Sequence, residues 1–134
     1  MTKIEFISIQ ILCHATESED KVLKAVRRLY PSFKKRKATG YFGNPIYVFD
    51  AHIKRKKEIA AVVDLLKEKC ASLKDVRRRI DEKGNLYIRL DKQELYQGRY
   101  VLEDSGDVKI IIHITSYPFN LEDAISYAEE VFSH

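Results

Sequence analysis

Ile4-Glu5-Phe6-Ile7-Ser8-Ile9-Gln10-Ile11-Leu12-Cys13 lies near the start of the chain, and its alternation decides the fold class. Ile7, Ile9 and Ile11 fall on one side at a period of two, with Phe6, Ser8 and Leu12 on the other. That period belongs to a strand, and so apolar a strand belongs in the centre of a sheet. Lys3 and Glu5 interrupt the apolar stretch, and no small-residue cleavage site follows it. It therefore reads as a strand and not as a signal peptide.

Helical spacing follows. Thr16 and Glu19 have the form of a capping box, and Val22, Ala25, Val26, Leu29 and Tyr30 make an inward stripe that ends at Pro31. Lys34 to Tyr41 reads as an exposed, highly charged strand. Gly43-Asn44-Pro45 reads as a turn, and Ile46 to Ile53 as a β-branched and aromatic strand. A second helix is expected over Lys54 to Cys70, with Ile59, Val62, Val63, Leu66 and Cys70 inward. Ser72 to Asp81 suits a short helix through Leu73, Val76 and Ile80, or a strand through Val76, Arg78 and Ile80; the helix is favoured. Lys83-Gly84-Asn85 is a turn, Leu86 to Leu90 a strand, and Lys92 to Gln97 a helical turn closed by Gly98. Asp107 to Thr115 is a strand with Val108, Ile110, Ile112 and Ile114 on one face, and Tyr117-Pro118 breaks it. The last helix spans Leu121 to Phe132. The sum is a two-layer α+β domain over residues 1–134: about five strands in a largely antiparallel sheet, with three to four segregated helices.

At 134 residues the chain can bury a core without staples. Hydrophobic residues at 45% and charged residues at 33% exclude a disordered chain, and no apolar run is long enough to span a membrane as a helix. Cys13 and Cys70 sit in apolar contexts, as buried thiols of a reducing compartment would.

Charge is distributed unevenly. Residues 1–102 hold 23 Lys and Arg against 13 acids, whereas residues 103–134 hold one Lys and seven acids. Three basic clusters stand out. The first is Arg27, Arg28, Lys34, Lys35, Arg36 and Lys37; the second is Lys54, Arg55, Lys56 and Lys57; the third is Arg77, Arg78 and Arg79. Cations in such numbers suit a nucleic-acid backbone, because neutralising phosphates releases condensed counterions. If folding gathers the clusters on one face, charge reversal at Lys35, Arg36 and Lys56 removes most of the affinity; if not, they are solvated patches. Tyr41 could stack on an unpaired base and Asn44 could read a base edge, unless both simply pack in a hairpin turn. Arg89, Lys92 and Gln93, where a strand passes into a helical turn, are further anion-binding candidates, although Asp91 could equally cap that turn.

No paired C-x-x-C, H-x-x-x-H, Gly-rich phosphate loop or nucleophile elbow is present, and the four histidines are scattered. The expectation is a binding protein without catalytic residue, metal or cofactor.

Three stretches carry a resemblance: His14-Ala15-Thr16-Glu17 with Lys21-Val22 and Ala25; Gly40-Tyr41-Phe42-Gly43-Asn44-Pro45-Ile46; and Leu86-Tyr87-Ile88-Arg89-Leu90-Asp91-Lys92-Gln93 with Gly98. In this order, over nearly the whole chain, they resemble a family of small archaeal RNA-binding proteins described as exosome-associated. The resemblance implies a fold similar to the large-subunit ribosomal protein that binds 5S RNA, an archaeal cytoplasmic setting, and RNA with exosome or ribosomal proteins as partners. The family has also been likened to a double-stranded-RNA-binding domain, which the element order read here does not fit. The competing expectation is a protein-interaction subunit of an RNA-processing complex. It would dock through an open sheet face or through the acidic last helix, which carries Glu122, Asp123, Glu129 and Glu130.

Overall fold

A computed structural model describes residues 2–14, 18–39, 45–69 and 75–132. In chain order the elements are β1 (Thr2–His14), α1 (Glu19–Val26), β2 (Lys34–Thr39), β3 (Pro45–Ile53), α2 (Lys56–Lys69), α3 (Val76–Arg79), β4 (Asn85–Leu90), α4 (Lys92–Tyr96), β5 (Val108–Ser116) and α5 (Leu121–Phe132). The five strands form one sheet in the order β2-β3-β1-β5-β4, and every neighbouring pair is antiparallel. The isoleucine strand β1 is central, as its sequence requires.

Register explains the core. Ile7, Ile9 and Ile11 face Ile53, Ala51 and Phe49 across one side of β1, and Ile112, Ile110 and Val108 across the other. All nine lie in a single buried cluster with Leu86, Ile88 and Leu90 of β4. Val22, Val26, Val62, Leu66, Ala124 and Ala128 of the three longer helices join that same cluster, so the helices cover one face of the sheet. Each buried aliphatic side chain contributes roughly 1.5–3 kcal/mol of transfer free energy. That face therefore holds the fold together.

Several local readings need revising. Among the described residues there are five helices rather than three to four, because α3 and α4 are single turns of four and five residues. Helix α1 begins two residues later than the expected capping box: Ser18 is its N-cap, accepting from the Lys21 amide at 3.4 Å. Thr16 lies outside the described residues, as do Cys70 and the 40–44 turn with Tyr41 and Asn44. Regular helix ends at Val26, and Arg27 to Leu29 form a turn before Pro31. The 72–81 segment, by contrast, is helical over Val76–Arg79 as favoured, and Ile80 then bridges to Leu86.

Gly84 has φ +88°, and a Cβ there would come within 2.3 Å of the Ile114 carbonyl oxygen. Only glycine lets the turn before β4 lie this close to β5. Gly98, at φ +81°, closes α4 by a Schellman pattern, with its amide on Leu95 O and the Arg99 amide on Glu94 O, both at 3.0 Å.

Candidate nucleic-acid interface

Alternation puts a different set of side chains on the reverse of the sheet, away from the helix-packed cluster. Cross-strand pairing arranges them in rows. One row crosses all five strands: Arg89 faces Lys109, Lys109 faces Gln10, Gln10 faces Asp50 and Asp50 faces Lys34. A second runs Tyr87, Ile111, Ser8 and His52, and a third runs Asn85, His113 and Phe6. These residues are half-buried or exposed.

The lower rows build a ring platform. Phe6 stacks on His113 with centroids 4.8 Å apart and planes 18° apart, and its other neighbour His52 lies at 4.8 Å and 37°. Hydrogen bonds fix both imidazoles. His52 Nδ1 is 3.0 Å from Ser8 Oγ, and His113 Nδ1 is 2.7 Å from Asn85 Oδ1. Asn85 Nδ2 donates to Asp81 Oδ2 at 3.1 Å, which turns Asn85 Oδ1 toward the histidine. Because that oxygen can only accept, His113 carries its proton on Nδ1 and presents Nε2 3.7 Å from the Glu5 carboxylate.

Asp81 anchors this arrangement. Burial pushes its carboxyl up, but hydrogen bonds from the Asn85 backbone and side-chain amides, the Lys83 amide and the Tyr87 hydroxyl outweigh burial and hold it below its ordinary value. Burial, and then the bond to Asp81, raises the Tyr87 hydroxyl.

Between the platform and the cationic row lies a trough of about 320 Å³, lined by Ser8, Gln10, Asp50, His52, Lys109 and Ile111 among others. Asp50 accepts from Gln10 Nε2 at 3.3 Å and from Arg36 Nε at 2.8 Å, which ties β1, β2 and β3 together across the trough. Lys109 Nζ sits 5.6 Å over the Tyr87 ring, and Arg89 Nη1 donates to Gly106 O at 3.1 Å. Chemically the face offers π surfaces, amide and hydroxyl donors, and cations at both ends. Unpaired bases and a phosphate backbone need those groups. Among the described residues no cluster of His, Cys, Asp or Glu could hold a metal.

A family described as RNA binding matches residues 6–116, most of the chain. The chain belongs to this family. It is 34% identical to the RNA-binding protein PAB1135 of Pyrococcus abyssi, across 92% of this chain and 90% of that protein. It is 31% identical to the protein MJ0213 of Methanocaldococcus jannaschii, across 76% of this chain and 78% of that one. The solved structure of Mth689, a DUF54 protein from Methanothermobacter thermautotrophicus, superposes with a TM-score of 0.84 at 29% identity, covering 97% of this chain and 98% of that one.

The fold distributes the cations of this RNA-binding family member differently from a single gathered patch. Lys34 and Arg36 lie on the open face, whereas register turns Lys35 and Lys37 to the helix side. Lys35 there binds Glu19 at 2.8 Å and covers the Tyr47 ring at 4.1 Å. Arg27 and Arg28 follow α1, and Lys54 to Lys57 follow β3 into α2, all exposed. Arg77, Arg78 and Arg79 stand beyond β4, at the opposite sheet edge from β2. Those edges are four strand spacings apart, about 19 Å. Arg77 is held in a fork by Glu122 at 3.0 and 3.1 Å, while Arg78 and Arg79 face Asp75 and Asp104. The third cluster does not merge with the first two, because strand order puts it at the far edge, and local carboxylates answer several of the cations.

Lys92 needs a firmer correction. It is 6% exposed, and its Nζ donates to Leu12 O at 2.9 Å and meets Asp107 Oδ2 at 3.1 Å. It fastens α4 to the central strand and is not available to a phosphate. Gln93 beside it is exposed. Asp91 does cap α4, accepting from the Glu94 amide at 3.0 Å.

Phe6, His52, His113, Lys109, Gln10 and Tyr87 were not among the RNA-binding candidates read from the sequence. The signal was there: opposite each isoleucine row stands a set with rings, amides and cations where a second buried face would show aliphatics.

Proposed function

We propose that the open sheet face binds single-stranded RNA without catalysis. Bases stack on the Phe6–His52–His113 platform, and phosphates lie against Lys34, Arg36, Lys109 and Arg89. The observation that carries this reading is the ring stack on an uncovered sheet face with cations at both ends of the neighbouring row. Membership of an RNA-binding family supports it. The platform is fixed before any ligand arrives, so little side-chain entropy is lost on binding. An open sheet face suits splayed bases better than a duplex, whose rings are hidden in the stack.

Such a face would serve an exosome- or ribosome-linked role by holding an unpaired segment while other proteins act on it. The competing reading, docking through acidic α5, is weakened because Arg77 already binds Glu122. Asp123, Glu129 and Glu130 remain exposed there.

Fluorescence anisotropy with single-stranded and duplex RNA of the same sequence tests the proposal. Phe6→Ala is expected to weaken single-strand binding by about 1–3 kcal/mol, the contribution of one stacked base. With four phosphate contacts, the log–log salt slope is expected near roughly −3. Unaltered single-strand affinity in a folded Phe6→Ala variant would remove the platform from the interface.

A further inference from the structure

Beyond β4 the open face ends in a pocket of about 280 Å³, lined by Asp75, Arg78, Arg79, Tyr87, Arg89 and Asp104. Three guanidiniums from two elements converge there, and against two carboxylates the lining keeps a formal charge of +1. Two of the cations are held in place. Arg79 is only 23% exposed, and Arg89 is braced on the Gly106 carbonyl at 3.1 Å. Gly106 can come that close because it has no side chain: a Cβ there would lie 2.2 Å from Leu90 O.

The carboxylates are loose partners. Arg78 Nη1 is 3.9 Å from Asp75 Oδ2, and Arg79 Nη1 is 3.5 Å from Asp104 Oδ1. Charge-assisted hydrogen bonds are about 2.7–2.9 Å, so both pairs are beyond good bonding range. Asp75 and Asp104 are exposed and can turn into water. An anion richer in charge and in acceptor oxygens can therefore displace them.

The guanidinium fork matches phosphate geometry. A phosphomonoester carries about −1.5 to −2 charge near neutral pH and three acceptor oxygens, more than an internal phosphodiester offers. The pocket is also placed at an end. Tyr87 belongs both to it and to the second row of the face, and Arg89 both to it and to the cationic row. Past β4 the sheet ends, and Ile80, just after α3, bridges to Leu86. A strand of RNA running along the rows from β2 would reach this pocket at the last strand.

We infer that the α3–β4 pocket takes the terminal phosphomonoester of an RNA strand lying on the sheet face. This rests on the reading of that face given above.

Three internally labelled short oligouridines test it by anisotropy: one with a 5′-phosphate, one with a 3′-phosphate and one with hydroxyls at both ends. One phosphorylated end is expected to bind roughly tenfold or more tightly than the hydroxyl-ended strand, as one charge-assisted hydrogen bond or more would give. Which of the two does so fixes the polarity of the bound strand. Arg78→Ala and Arg79→Gln should each cut the preference below about twofold and leave the hydroxyl-ended affinity unchanged, with thermal melts confirming the fold. Phe6→Ala should weaken all three strands and keep their ratio. Equal affinities of the wild-type protein for all three strands would overturn the end pocket and leave the sheet reading standing. Failure to bind any strand would overturn both.

Discussion

Replacing Lys92 separates a structural role from a ligand-binding one. The side chain is 6% exposed, and its ammonium joins Leu12 O of the central strand to the carboxylate of Asp107 just before β5. Lys92→Ala removes both contacts and the packed stem. Removing one partner of a fully buried pair costs about 3–5 kcal/mol. Asp107 is 35% exposed, so water takes up part of the lost pairing. Leu12 O loses a donor, at about 1–3 kcal/mol for a buried acceptor. The net expectation is a loss of about 2–4 kcal/mol for Lys92→Ala, and roughly 1 kcal/mol less for Lys92→Met, which keeps most of the stem. For a chain of this size each kcal/mol moves the thermal midpoint by roughly 3–5 °C, so the alanine variant should melt roughly 6–20 °C lower. Urea unfolding should show a lower midpoint at an unchanged m value. RNA anisotropy below the transition should give the wild-type dissociation constant for both variants. A wild-type melting temperature joined to a large loss of RNA affinity would refute the reasoning and put Lys92 back among the phosphate contacts.

Asp81→Asn should flatten the acid limb of the stability curve. Its folded value is depressed, so its stabilisation is complete above the ordinary aspartate value near 3.8 and is lost as pH falls through the lower folded value. Urea midpoints compared at pH 5 and pH 3 should therefore differ less in the variant than in the wild type. Arg36→Gln, on the open face, should shrink the log–log salt slope of RNA binding by about 0.7, whereas Lys56→Glu, at the start of α2, should leave it unaltered. An equal effect of the two would mean that the cations act only through net charge.

The competition between Lys35 and Arg36 shows how one residue of register changes a functional reading. Both stand in the same basic run, yet Arg36 faces the open surface and Lys35 faces α1 and Glu19. A strand reverses its side chains at every step, so a contiguous basic sequence on a strand is necessarily divided between two environments. On a helix or loop the same run would have stayed together in a way that sequence counting captures.

The periods of Ile7-Ile9-Ile11, of Val108 to Ile114 and of the helix stripes were enough to establish strands, helices and the side of each that is buried. These patterns arise between residues two, three or four apart, and the chain carries them wherever it goes. The position of β1 at the centre and the two-layer α+β class follow from the same local facts. The order of the other strands and the register belong to the tertiary structure alone. They bring Phe6, His52 and His113 into one stack, place Arg89 and Lys34 at opposite ends of one row, and bury the ammonium of Lys92. Residues so far apart in the chain carry no mark of their partners, because which strands lie side by side is settled by the packing of the whole core.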